Sequence, residues 1–114
     1  MISVVITRDS TGLIRSIEIS GHAGYAEAGS DIVCSAVSVT ACTAAGALED
    51  LAGLKDCYTV GEGYMLIRLP EKMDEEQRST ASIIMETTAI GFKQVGLSYE
   101  KYISVEDEEV QTDD

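Results

Sequence analysis

The chain predicts an α+β fold, a mainly antiparallel sheet with two helices in the order ββαββαβ, and three features support this. Short runs near the start and in the middle alternate apolar with polar residues. Two longer runs carry apolar residues at steps of three and four, and turn-forming residues separate the segments. Helices gathered on one face of an antiparallel sheet are the economical packing for such an order. A length of 114 residues suits one core rather than two. The expected organisation is a single domain over residues 1–105, then an acidic, frayed tail over 106–114.

In the first strand Ile2, Val4 and Ile6 alternate with Ser3, Val5 and Thr7. Asp9-Ser10-Thr11-Gly12 follows as turn chemistry, and a second strand places Leu13, Ile17 and Ile19 inward, completing a hairpin. Between residues 21 and 30, Gly21, Gly24 and Gly29 leave little to bury. That stretch reads as a loop, with residues 23–30 held open until a peptide orders them.

The first helix is expected to start at Ser30 or Asp31, both capping residue types, and to run to about Leu54, with Gly53 marking its end. Val33, Val37, Ala41, Ala44, Leu48 and Leu51 form its buried stripe. Its opening turns (Ile32, Val33, Ala36, Val37, Val39) are apolar nearly all round, which predicts burial on more than one side. Tyr58–Val60 and Tyr64–Leu69 make a second hairpin about Gly61-Glu62-Gly63, stopped by Pro70. Asp74 with Gln77 three positions on is a capping box. It opens a helix that carries Ile83, Ile84, Thr87, Ile90 and Gly91 on one face and ends near Val95-Gly96. Tyr99–Val105 is the last strand.

Composition narrows the function classes. The formal net charge is −12, from 8 Lys+Arg against 20 Asp+Glu. That field disfavours nucleic acid and anionic membranes and favours basic partners, although solubility is the ordinary reason for such a charge. No apolar stretch reaches the roughly 20 uncharged residues of a membrane span, and the first residues lack a basic leader. The expected location is cytoplasmic. Cys34, Cys42 and Cys57 are odd in number and lack C-x-x-C spacing, which argues against a disulfide framework or a structural zinc. With one histidine, His22, a metal-ligand set is implausible.

Two residues stand out for chemistry. Cys34 falls near the expected start of the first helix, where free N–H groups and the helix dipole favour a thiolate. The backbone N–H groups of Val33 and Cys34 are the nearest donors for the oxyanion of a tetrahedral intermediate. His22 follows the second strand, and a loop of this length lets strand end and helix start lie side by side. An imidazole there is positioned to take the thiol proton and return it to a leaving amine. Asp31 either orients that imidazole or caps the helix, and capping is what this residue type ordinarily does. The bland alternatives are a core cysteine and a loop histidine. Cys42 and Cys57 are expected to be core residues.

The motif Gly21-His22-Ala23, the glycine-bearing loop, and Asp31-Ile32-Val33-Cys34-Ser35-Ala36-Val37-Ser38 resemble the ribosomal-processing cysteine protease family, Prp. The resemblance extends over nearly the whole chain, short of the acidic tail. It implies a cytosolic bacterial endopeptidase that removes a short N-terminal extension from a large-subunit ribosomal protein (number twenty-seven), supporting ribosome assembly. It assigns Cys34 as nucleophile and His22 as general base, and it implies a homodimer with no cofactor. Gly21, Asp31 and Ser38 match motif positions without an assigned role. The competing reading is a non-catalytic ribosome-assembly factor that binds basic ribosomal proteins.

Overall fold

The structure is a computed structural model. It describes the backbone of residues 1–21 and 28–109 and the side chains of residues 1–21 and 32–108. The order is β1 (Ile2–Arg8), β2 (Ile14–Ser20), α1 (Ala28–Ala52), β3 (Tyr58–Gly61), β4 (Tyr64–Arg68), α2 (Glu75–Ser98) and β5 (Ile103–Glu109). One five-stranded sheet runs β3-β4-β2-β1-β5. It is antiparallel except at β1 and β5, which pair in parallel. The predicted ββαββαβ order and α+β class are those observed.

Local chemistry explains the turns. In the first hairpin the Asp9 carboxylate accepts from the Thr11 amide at 2.8 Å and the Thr11 hydroxyl at 2.6 Å, so the reversal is held by its own side chains. A register shift follows at Thr7/Arg8. The extra residue lets Ile14 and Ile17, three apart, both turn into the core. At the far end of α1, Gly53 takes φ +70°, which lets the Leu54 amide reach back to the Leu48 carbonyl at 3.0 Å. The capping box on α2 forms as predicted. Asp74 accepts from the Gln77 amide at 2.7 Å, and the Gln77 side chain accepts from the Asp74 amide at 3.0 Å.

The core lies between the sheet and the two helices. Ile2, Val4, Ile6, Ile17, Ile19, Ile67 and Ile103 face Val33, Val37, Ala41, Ala44 and Leu48 of α1 and Ala81, Met85, Ala89 and Phe92 of α2. Ile32–Ala52 is long and apolar enough, by length and composition, to cross a membrane; here its inner stripe is packed into this core.

Several expectations are corrected. Leu51 is 70 % exposed rather than buried, because the buried stripe passes from Leu48 to Ala52, four residues on, and leaves Leu51 off that face. The opening turns of α1 are not enclosed all round: Ile32 and Val39 face outward. On α2 the stripe with Ile83, Thr87 and Ile90 is the outer one, and the smaller Ala81 and Ala89 with Met85 and Phe92 are inside. A helix with two apolar stripes does not reveal by period which one meets the sheet. Cys42 is exposed while Cys57 is buried, and burial pushes the Cys57 thiol pKa up. The last strand starts four residues later than expected and continues through the acidic Glu106–Glu109, past the expected boundary at 105. Edge strands tolerate charge because one side meets water.

Arg8 anchors that edge. Its guanidinium grips Asp107 of β5 through two bonds of 2.8 and 2.9 Å, pairs with Glu86 of α2, and donates to the Gly12 carbonyl at 3.1 Å. Lys93 adds a second cation to Asp107 at 2.8 Å. The Arg8 hydrogen bonds, with help from Lys93, pull the Asp107 pKa down to about 2. A carboxyl pKa depressed by folding contributes stability above its ordinary value, and loses that contribution as pH falls through the folded value. Urea midpoints of the wild type should therefore fall between about pH 4 and pH 2. In Asp107→Asn that decline should be shallower, and the variant should be less stable than wild type at neutral pH.

Candidate active site

The inner stripe of α1 fixes where its flank points. With Val33 and Val37 in the core, Cys34 and Ser38, one turn apart, lie on the side of the helix toward β4. Cys34 is half-buried and Ser38 exposed. Both line a cavity of about 130 Å³. The other walls are Ile2 at the start of β1, Ile19 and Gly21 at the end of β2, and Gly63, Tyr64 and Met65 at the second hairpin. The thiol thus sits at the edge of a small, largely apolar recess where three strand ends meet one helix. Such a recess can seat an apolar side chain of a peptide beside the sulfur.

Gly21 is required by the way these walls join. Its φ is +92°, and a Cβ there would lie 2.5 Å from the Met1 carbonyl oxygen. Its amide donates to the Gly63 carbonyl at 3.0 Å, so the end of β2 is pinned to the second hairpin. The approach to the Met1 carbonyl admits no side chain. Further along, the Tyr58 hydroxyl donates to the Met65 sulfur at 3.3 Å and lies 3.8 Å from the Cys42 sulfur. This links the recess to the next turn of α1. The Tyr64 hydroxyl donates to Glu18 at 2.6 Å, which raises the phenol's pKa.

The predicted site residues therefore divide. Gly21, Cys34 and Ser38 come together in one cavity. His22, Gly24 and most of the loop 23–30 lie outside the described residues. Gly29 falls within α1, and Asp31 is the fourth residue of the helix, not its cap. The helix begins at Ala28 because adding a turn to an established helix escapes the cost of nucleation. Cys34 is consequently the seventh helical residue, and the acceptors of the Val33 and Cys34 amides in an α-helix are the Gly29 and Ser30 carbonyls. Among the described residues no cluster of His, Cys, Asp and Glu suits a metal ion. The hairpin walls Gly63, Tyr64 and Met65 escaped the sequence reading, since β2–β4 pairing is non-local. The one available signal was a tyrosine directly after a tight glycine turn.

The model of the cysteine protease Prp family matches residues 1–104. The chain belongs to the Prp cysteine protease family. The ribosomal processing cysteine protease Prp of Bacillus subtilis (strain 168) is 33 % identical over 107 residues, covering 92 % of this chain and 96 % of that one. Among solved structures, SMU.848 from Streptococcus mutans superposes with a TM-score of 0.85 at 28 % identity, covering 96 % of each chain. The essential ribosomal processing protease Prp of S. aureus, crystallised with a substrate peptide, has the same fold. Its TM-score is 0.80 at 23 % identity, covering 95 % of this chain and all of that one. As a Prp-family member the chain is a cysteine protease.

Gly21→Ala should destabilise the protein by about 1–3 kcal/mol, the cost of a strained backbone position, with steric overlap adding to it. Urea unfolding measures this, and Gly12→Ala, a positive-φ glycine with open space around it, serves as the strain-only comparison and should cost less.

Proposed function

We propose that Cys34 is the nucleophile of this protease and His22 its general base and acid. One observation carries the reading: Gly21, the residue bonded to His22, lines the same cavity as Cys34. Strand end and helix flank are side by side, as the chemistry requires. The Cys34 sulfur attacks the scissile carbonyl carbon and its proton passes to the imidazole. The tetrahedral intermediate then collapses, the C–N bond breaks, and the imidazolium proton leaves with the amine. Water, deprotonated by His22, hydrolyses the thioester and restores the thiol. Ser38, on the same cavity as Cys34, borders the bound peptide.

The substrate in this reading is the N-terminal extension of a large-subunit ribosomal protein (number twenty-seven), cut in the cytoplasm by a homodimer without a cofactor. The Bacillus subtilis relative, a ribosomal processing protease, supports the substrate class. So does charge: at −12 the protease attracts the basic proteins of a ribosome.

A peptide spanning the extension junction, followed by mass spectrometry, tests the reading. Wild type should make one cut. Cys34→Ala and His22→Ala should each lower the rate by about 10³-fold or more, as removal of members of such catalytic units does, while circular dichroism stays native. Cleavage by Cys34→Ala near the wild-type rate would refute the assignment.

A further inference from the structure

The walls of the recess beside Cys34 differ in how freely they can move. Ile2, Ile19 and Val37 are buried in the core, and their branched side chains are stiff at χ1. Gly21 and Gly63 contribute backbone alone. Tyr64 turns to the other face of the sheet, where its hydroxyl donates to Glu18, since neighbours on a strand point to opposite faces. Cys34 and Ser38 are short. Among the described walls, Met65 is the one long, unbranched side chain facing the recess. Its three rotatable bonds allow a methionine to fill such a space or to leave it.

Met65 is nonetheless tethered at both ends. β3 pairs with β4 so that Val60 lies opposite Met65 and Tyr58 opposite Ile67. Tyr58 therefore stands diagonal to Met65 on the inner face of the sheet, a spacing that an aromatic residue can bridge. Its hydroxyl lies 3.3 Å from the Met65 sulfur and 3.8 Å from the Cys42 sulfur. A thioether has no hydrogen to give, so the phenol proton goes to Met65, and the Cys42 thiol donates to the phenol oxygen. Two hydrogen bonds thus run from the helix to the recess wall. Burial, and then the Cys42 contact, raise the Tyr58 pKa above its ordinary value, so the phenol keeps the proton that the Met65 bond uses. Tyr58 itself stands behind Met65, outside the recess.

We propose that Met65 is the wall that sets the largest side chain this recess admits, and that Tyr58 is the positioning residue that holds the wall in place. The proposal deepens the assignment of Cys34 as nucleophile and rests on it. An apolar cavity of about 150 Å³ takes up benzene. A recess of about 130 Å³ therefore accepts one ring or a branched aliphatic side chain and refuses an indole. Truncating Met65 enlarges the recess. Freeing its sulfur lets the wall swing, so that the recess discriminates less.

Peptides spanning the extension junction, with each residue flanking the cleavage point in turn Leu, Phe or Trp, test this; kcat and KM are measured by mass spectrometry. At one position the wild type should cut the Phe peptide at least about tenfold more efficiently than the Trp peptide, a margin within reach of an apolar pocket. Met65→Ala should bring the two within about threefold there, through KM, with kcat for the Leu peptide unchanged. Met65→Phe, which narrows the recess, should instead favour Leu over Phe. Tyr58→Phe should lower the Phe-to-Trp ratio about threefold, the scale of one weak hydrogen bond. In a Met65→Leu background, which keeps the bulk and removes the acceptor, Tyr58→Phe should leave the ratio unchanged. A tyrosine that merely stabilised the fold would act alike in both backgrounds. Selectivity that neither Met65→Ala nor Met65→Phe alters would overturn the proposal alone, provided that Cys34→Ala abolishes cleavage. Equal effects of Tyr58→Phe in both backgrounds would overturn the role of Tyr58. Cleavage that persists in Cys34→Ala, or a wild type that does not cut, would overturn the protease assignment and this proposal together.

Discussion

The packing of α1 against the sheet is the constraint on which the site depends. Val33, Val37, Ala41, Ala44 and Leu48 are all buried, and fully burying one aliphatic side chain contributes about 1.5–3 kcal/mol. Rotating the helix would expose that stripe, so the helix has one orientation. That orientation sets Cys34 on the flank facing β4 and sends Ile32 and Val39 outward. The reactive flank and the outward apolar positions follow from the same buried stripe.

A second constraint brings the strand ends to the sulfur. Gly21 passes beneath the Met1 carbonyl and bonds to Gly63, joining β1, β2 and the second hairpin at one corner of the sheet. The cavity beside Cys34 is the space left between that corner and the helix. Its walls come from residues far apart in sequence, held mainly by backbone pairing. Such a site is built on regular elements, and side chains on regular elements are positioned more accurately than those on loops.

Much of this was legible before any coordinates. The first hairpin, the inner stripe of α1, the glycine at its end and the α2 capping box each carry a local signal: period, turn chemistry or a side-chain reach of three residues. Cys34 was singled out in the sequence as a residue of the helix start; it is the seventh helical residue, and the flank it occupies emerged only with the structure. What local pattern does not encode was misread. Ile83 and Ile90 are more hydrophobic than Ala81 and Ala89, yet only sheet geometry decides which stripe is covered. Glu106–Glu109 read as a tail because four acids in a row suit solvent. The parallel pairing with β1 and the Arg8–Asp107 grip hold them, and both are non-local, the grip spanning 99 positions in sequence. The start of α1 was misplaced because Ser30 and Asp31 are capping types, whereas helix growth carried the element back to Ala28.

The central claim is that geometry, and not exposure, selects Cys34 as the reacting sulfur. The most direct measurement is active-site labelling with a peptidyl chloromethyl ketone that carries the residues preceding the cleavage point, mapped by mass spectrometry. Cys42 is the more exposed thiol, so labelling governed by accessibility would mark it first. The account predicts a single adduct on Cys34, with Cys42 and Cys57 unmodified and the intact substrate peptide slowing the reaction. An adduct on Cys42, or labelling of Cys34 indifferent to substrate, would contradict it.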